Sequence, residues 1–416
     1  MANEDRVQLV VSSGPARDRG RRLSTWTKYE FHENLFTPAN HFSFTLGLTG
    51  AGNDVPPEEY IERVCALTVP DAIVTLELDG ILLGTGIISE QAIVEDEQGQ
   101  AYIEVQGMDP ASLLLSNEVD PKIKVSSLTT LPESAETILA PYRGKGLDLK
   151  IVADDIANRS LLTGKKIAAQ KTIKTSRGSV AVNQGGVART GFVQATLADV
   201  QPHPGETEWD FLHRHAENIG VIPYFMADGS LCFVAPDYDQ DPLYRITRML
   251  SNPDRTNVLR GGRRLSNTAT ATSVHILGRG SLYRSADPNV KHRTSSKAKP
   301  KIAGIANTKS DFIWPRRRFL RDTNPKNADE ANRLAQRALA MRNANDVTYN
   351  YVVAGHRNKA NYAYTVNTMA LILDELPRPK IDVPALITGR VLRKSRAAEN
   401  ATTTELTLVP KGAIVL

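Results

Sequence analysis

The sequence predicts an α+β chain that is mainly β, with two barrel-like β-domains bracketing an α+β middle domain. Three observations lead there. Short runs of alternating apolar and polar residues with turn signals fill the first ~110 positions. One amphipathic helical stretch stands near Trp209, with an apolar hairpin behind it. Alternating runs return from Val347 to Val409.

At the N-terminal end, Val74, Leu76 and Leu78 alternate with Thr75, Glu77 and Asp79, and the run closes on Asp79-Gly80, a dipeptide suited to a tight hairpin turn. Ile81 to Ile88 is the return strand. After a polar loop at Glu95 to Gln100, Ala101, Ile103 and Val105 resume the alternation. Residues 1–110 are thus expected to form the first barrel-like domain.

The middle domain is expected over 111–236. Ser134 to Leu139 reads as a short helix. Lys165 to Arg189 is rich in Gly, Lys and Thr and lacks periodicity, so 165–189 is expected to be an exposed loop or arm. Order returns at Pro204. Thr207 and Asp210 have the spacing of a capping box, Trp209, Leu212, Ala216 and Ile219 recur at helical spacing, and Gly220 supplies a stop. Val221 to Phe225, the Asp228-Gly229 turn and Leu231 to Val234 then make a hairpin able to cover that helix.

Residues 237–416 form the third region. From Asp237 to Pro325 the chain is polar, with one clear strand candidate at Ala271 to Leu277. A helix is expected over about 328–341, its stripe of Ala331, Leu334, Ala335 and Ala338 allowing close approach of whatever packs there. Strands follow at Val347 to Val353, Met369 to Leu373, Leu386 to Leu392 and Thr403 to Val409, a second barrel-like domain. The two ends also resemble each other at one constant offset, with Thr85-Gly86 falling on Thr388-Gly389 and Ile103 on Leu406.

Composition narrows the function classes. The chain has 416 residues, 41% hydrophobic and 23% charged, as in ordinary globular proteins of two to four domains. Lys plus Arg, 51, barely exceeds Asp plus Glu, 46, a balance that does not by itself argue for a nucleic-acid partner. Basic residues cluster at Lys291 to Lys301 and at Arg316, Arg317, Arg318 and Arg321, and the first cluster, dominated by Ser, Pro and Lys, reads as a solvated loop. Cys65 and Cys232 each sit in an apolar stretch and make no disulfide framework. The longest apolar region, Ala72 to Ile88, is cut by Glu77 and Asp79 and is no membrane span. The N-terminus lacks the apolar core of a secretory signal, so synthesis in the cytoplasm is expected.

Catalytic patterns fare poorly. His213 and His215 lie two apart on the expected helix and point about 200° away from each other, so they cannot share a metal. Gly278-Arg279-Gly280-Ser281 lacks the spacing of a phosphate loop and reads as a turn. Glu206 and Glu208 have the residue types of the paired carboxylates of a peptidoglycan hydrolase, but two residues apart at a helix start they serve the helix dipole. No catalytic, cofactor-binding or metal-binding residue is assigned, and no enzyme activity or cofactor is expected.

In order along the chain, Trp26 and Tyr29, Phe42-Ser-Phe, Val74-Thr-Leu-Glu-Leu-Asp-Gly and Val105-Gln-Gly-Met-Asp-Pro-Ala precede Pro204-Gly-Glu-Thr-Glu-Trp-Asp-Phe-Leu-His-Arg. The Ala-rich helix and the ending Thr402-Thr-Thr-Glu-Leu-Thr-Leu-Val-Pro complete the set. Together these resemble the Mu-like baseplate hub family of contractile phage tails, the group of late control protein D. About half the chain carries the resemblance, and its structural marks are Gly205, Glu206, Thr207, Trp209 and Gly220. Met108, where many relatives carry Arg, and the long 165–189 stretch depart from the pattern. The resemblance implies a homotrimeric ring adapting a sixfold tail tube to a threefold central spike. Its partners would be the tail tube protein, the spike protein and other baseplate proteins, with DNA only as passing cargo and no membrane. The hub of a bacterial secretion spike or tailocin is the same object in another machine.

Overall fold

A computed structural model describes residues 7–12, 21–23, 26–47, 57–95, 101–123, 125–126, 129–144, 147, 149–155, 157–158, 165–167, 171–175, 178–182, 185–188, 200–266, 270–278, 301–307, 314–321, 328–343, 346–395 and 402–414. Lys291 to Pro300 and Arg279 to Ser281 lie outside them.

The chain opens with strands β1 (Val7–Ser12), β2 (Arg21–Leu23), β3 (Trp26–Asn34) and β4 (His41–Gly47). Helix α1 (Pro57–Leu67) then interrupts the stretch expected to be wholly β. Its start is marked in the sequence, since Pro57 has no N–H to leave unpaired at a first helical position. Cys65 lies half-buried on this helix rather than in a strand. Strands β5 (Ile73–Leu78) and β6 (Ile81–Glu95) form the expected hairpin, with φ of 48° at Asp79 and 86° at Gly80. Val74, Leu76 and Leu78 are buried, as the alternation requires. Strand β6 continues past Ile88 to Glu95 before β7 (Ala101–Met108) returns.

Helix α2 (Ala111–Ser116) leads to α3 (Leu131–Leu139), which starts earlier than the expected Ser134. Thr130 and Glu133 close a full capping box there, and Pro132 sits in the first turn, a start signal that the sequence reading passed over. Strand β8 (Ile151–Ala153) follows. The 165–189 stretch is not irregular: β9 (Lys165–Ile167) pairs with β12 (Gly185–Ala188), and β10 (Lys171–Thr175) pairs with β11 (Gly178–Val182). These nested antiparallel pairs make a two-stranded hairpin that pairs with no other described strand. The β-branched content of Lys171–Thr175 and Gly178–Val182 accounts for it.

Helix α4 (Glu208–Ile219) buries Trp209, Leu212, Ala216 and Ile219, and with them Phe211 and His215. Behind it β13 (Ile222–Phe225) and β14 (Leu231–Val234) form the hairpin, and β8 adds to β14 in parallel. The Trp209 ring stacks on Phe225 with centroids 6.3 Å apart.

Among the described residues, the polar stretch after Asp237 holds five strands where one was expected: β15 (Tyr244–Arg248), β16 (Val258–Leu265), β17 (Ser273–Gly278), β18 (Lys301–Asn307) and β19 (Arg317–Arg321). Strand β16 escaped detection because it is exposed along nearly its whole length and so shows no alternation. Helix α5 (Ala328–Asn343) packs on β17 and β18 through Ala331, Ala335 and Leu339. The close approach foreseen from its alanines is real: a Cβ on Gly304 of β18 would come within 2.2 Å of the Ala331 backbone. Strands β20 (Val347–Ala354), β21 (Met369–Asp374), β22 (Ile381–Ser395) and β23 (Thr402–Pro410) close the chain. The fold is therefore α+β and mainly β.

Thirteen strands join in one sheet, with the main path β16-β20-β23-β22-β3-β4-β7-β6-β5-β1-β2 and β21 and β15 branching from β22. Two halves of this sheet follow one plan. The N-terminal order β3-β4-β7-β6-β5 matches the C-terminal order β16-β20-β23-β22-β21, all antiparallel. Two β-bulges fix the alignment. The ladder shifts between Trp26 and Lys28 in β3 and between Val258 and Arg260 in β16, and again between Ile88 and Glu90 in β6 and between Ile387 and Gly389 in β22. From these marks the registers place Phe42 on Tyr349, Phe44 on Tyr351, Leu46 on Val353, Ile73 on Met369 and Val105 on Leu406. The constant offset read from the sequence is corrected. Gly86 falls on Ala385, not Gly389, and Leu406 matches Val105, not Ile103, because the connecting loops differ in length.

Candidate assembly surfaces

The segment from Gly205 is clamped at several points. Thr207 Oγ1 accepts the Asp210 N–H at 3.0 Å, one arm of the expected capping box, and Gly220 ends the helix in the left-handed conformation at φ 87°. Glu206 takes two hydrogen bonds from Arg214, at 2.7 and 2.8 Å, and one from the His203 N–H. Burial alone would push its carboxyl up, but the Arg214 bonds and charge hold it below the usual carboxylate range. Glu208 accepts from the Tyr142 hydroxyl at 2.7 Å, and burial raises its pKa. The two carboxylates thus sit in separate, occupied environments. The Glu206 carbonyl accepts from Val119 and the Asn117 carbonyl accepts from Glu208, which fastens the segment to the chain after α2.

His213 leans on Trp209, whereas His215 is buried edge-on against Phe211, and burial drives its imidazole down to about 3. Among the described residues no three metal-ligating side chains gather, and no helix is long and apolar enough to cross a membrane.

Asp109, in the Met-Asp-Pro-Ala segment, is buried and accepts from Asn40 N–H at 3.1 Å, Asn40 Nδ2 at 2.8 Å and Ala111 N–H at 3.0 Å. It pins the turn between β3 and β4 to the start of α2. Burial lifts its carboxyl to about 7.

The two halves of the sheet meet where β22 pairs with β3, from Gly389 opposite Asn34 to Ser395 opposite Lys28. Arg390 is buried in this seam. Its guanidinium donates to Glu33, to the Tyr364 carbonyl and, at 2.7 Å, to the Leu83 carbonyl. Arg393 bridges Glu405 at 2.9 Å and Glu30 at 3.0 Å. Beside them the Tyr29 hydroxyl bonds His356 Nε2 at 2.5 Å, and His356 Nδ1 pairs with Thr404 Oγ1 at 2.9 Å. Burial, with Arg390 and Lys394 nearby, pushes His356 down to about 3. The sequence reading missed these seam residues. An arginine inside the otherwise apolar strand Leu386 to Leu392 was the available signal, because a charge in a buried strand needs a partner.

The plan repeats, but its edges differ. The half of β6 after its bulge corresponds to the half of β22 that pairs with β3, yet among the described strands it has β7 on one side only. Strand β16 corresponds to β3 and, among the described strands, has β20 on one side only. Ile93 in β6 is 62% exposed, whereas its counterpart Leu392 is fully buried.

No family model matches the sequence, and no curated protein matches it. Solved structures do. The tail protein from Neisseria meningitidis MC58 aligns at TM-score 0.66 and 17% identity over 98% of this chain and 97% of that one. The 43 kDa tail protein of prophage MuSo2 from Shewanella oneidensis aligns at TM-score 0.66 and 16% identity over 98% and 99%. A chain of the Francisella PdpA-VgrG complex aligns at TM-score 0.51 and 9% identity over 99% of this chain and 59% of that one. Over nearly its whole length, this chain has the fold of the two tail proteins.

Proposed function

We propose that this chain is the structural, non-enzymatic hub of a contractile phage tail baseplate. Three copies form a ring that adapts the sixfold tail tube to the threefold central spike. The observation that carries the reading is the likeness to two tail proteins over nearly the full length of all three chains. The repeated strand plan supports the ring, because three chains with two like units each present six similar surfaces on one side. Its partners are then further copies of itself, the tube protein, the spike protein and other baseplate proteins. DNA passes through only as cargo, and the protein resides in the virion tail after synthesis in the host cytoplasm.

On this reading residues 1–110 and 237–416 carry the two ring units and 111–236 joins them. Gly205, Glu206, Thr207, Trp209 and Gly220 keep that joining unit in shape. The likeness to a chain of the PdpA-VgrG complex favours a second reading, the hub of a bacterial secretion spike or tailocin. Electron microscopy of the intact parent particle tests both. Threefold density of this chain between tube and spike is expected; sixfold or twofold density there, or none, overturns the hub. The presence or absence of a DNA-filled head separates a phage from the other machines.

A further inference from the structure

Resting on the ring reading, we infer that the open half of β6 in one copy pairs antiparallel with the open edge of β16 in the next, repeating between chains the seam that β22 and β3 make within one.

The internal seam supplies the register. In it Gly389 faces Asn34 and Ser395 faces Lys28. Carrying both strands to their counterparts through the shared bulges puts Gln91 opposite Leu265, Ala92 opposite Arg264, Ile93 opposite Arg263 and Val94 opposite Gly262. Glu95 then faces Gly261, whose carbonyl already accepts from Arg248 at 3.0 Å, so the ladder ends there. The approach to the edge is built alike in both halves. Ile88 exchanges backbone hydrogen bonds with Asp71 and Ala72, as Ile387 does with Asn367 and Thr368, and each strand is then free of its hairpin partner.

The side chains fit a second copy. Strand β6 carries exposed Glu90 and Glu95, and β16 carries exposed Arg260, Arg263 and Arg264. In the derived register Glu95 lies diagonally from Arg263 and Glu90 diagonally from Arg264, on matching faces and within reach of long side chains. Ile93, 62% exposed, and Leu265, 64% exposed, are diagonal neighbours on one face. Two like strands could not pair this way, because acidic edge would meet acidic edge. The contact is therefore head-to-tail, and a head-to-tail contact either closes into a ring or grows a filament.

Paired cysteines test the register. In the full-length chain, Ala92→Cys with Arg264→Cys should give covalent species of up to three chains under mild oxidation, at least tenfold more than either single variant. The slipped pair Ala92→Cys with Arg263→Cys, whose side chains fall on opposite faces, should stay at the single-variant level. Equal linking of both pairs, or no linking above the single variants, overturns the edge pairing. The mass of the unmodified assembly in solution separates the two readings: a trimer without the matched cross-link sinks only the edge pairing, whereas a monomer that does not cross-link sinks the ring as well.

Discussion

The two halves of the large sheet differ in what surrounds a shared plan. In the N-terminal half Phe44 and Leu78 lie in an apolar core; in the C-terminal half their counterparts are Tyr351 and Asp374. The Tyr351 hydroxyl donates to Asp374 at 2.8 Å, and Arg248 holds the same carboxylate. The outer strand differs too: β1 runs antiparallel to β5, whereas β15 runs parallel to β21. The five-strand plan with its two bulges is thus kept while the core chemistry is exchanged, so backbone register rather than side-chain identity defines the unit.

The largest expected effect lies in the seam. Arg390→Ala leaves the buried Glu33 carboxylate unpaired and should cost about 3–5 kcal/mol in chemical denaturation. Its counterpart Gln91 donates to the Cys65 carbonyl at 3.1 Å, and Gln91→Ala should cost only about 1 kcal/mol. Similar losses at both positions would show that the seam is no stronger than an open edge.

The second effect compares the same site buried and exposed. Leu392→Ala should cost about 2–5 kcal/mol, because it empties a filled core position. Ile93→Ala in the monomer should change stability by no more than about 0.5 kcal/mol. Thermal unfolding at low protein concentration measures both, and a large loss at Ile93 there would mean that the edge is already covered within one chain.

What the sequence made legible follows from this contrast. Strands with one wet and one dry face, β5 and β7, announced themselves by alternation, and the Asp79-Gly80 turn by its backbone demands. Strand β16, wet along nearly all its length, carried no period and was missed. Helix α5 was legible through its alanines and helix α4 through Trp209 and its caps. The true alignment of the two halves was not legible, because few residues are shared and loop lengths shift the numbering; only the bulges reveal it. The seam stayed hidden because Glu33 and Arg390 are far apart in the chain, so the arginine within Leu386 to Leu392 signalled the need for a partner without naming it.

A third effect is pH-dependent and arises at His356, beside the seam. His356 titrates near 6.5 unfolded and near 3 folded, so between these values the folded state binds fewer protons. Its contribution is fully present above pH ~6.5 and is lost as pH falls towards 3, by up to about 1.4 kcal/mol per pH unit. His215 acts with the same sign, and Asp109, lifted to about 7, acts with the opposite one. The informative measurement is therefore the difference between the chain and His356→Gln, compared at pH 7 and pH 5. The variant should lose less stability on acidification; parallel curves would mean that His356 is protonated in the fold.

The smallest effect asks whether the joining unit stands apart from both halves. Thr207→Ala removes the side-chain acceptor for the Asp210 N–H and should cost about 1 kcal/mol. Thr130→Ala removes the acceptor for the Glu133 N–H at the start of α3 and should cost about as much, because the Glu133 carboxylate still accepts from the backbone N–H of residue 130. Both helices pack in the cluster that contains Trp209 and Phe225, which is distinct from the core clusters of the sheet halves though Ile87 of β6 joins it and Ile222 of β13 joins the C-terminal one. Hydrogen exchange should accordingly rise in α3, α4 and the β13–β14 hairpin of each variant, with the amides of β4 and β20 unchanged. Equal loosening of β4 and β20 would show that the joining unit and the sheet unfold as one, and that the halves owe part of their stability to what lies between them.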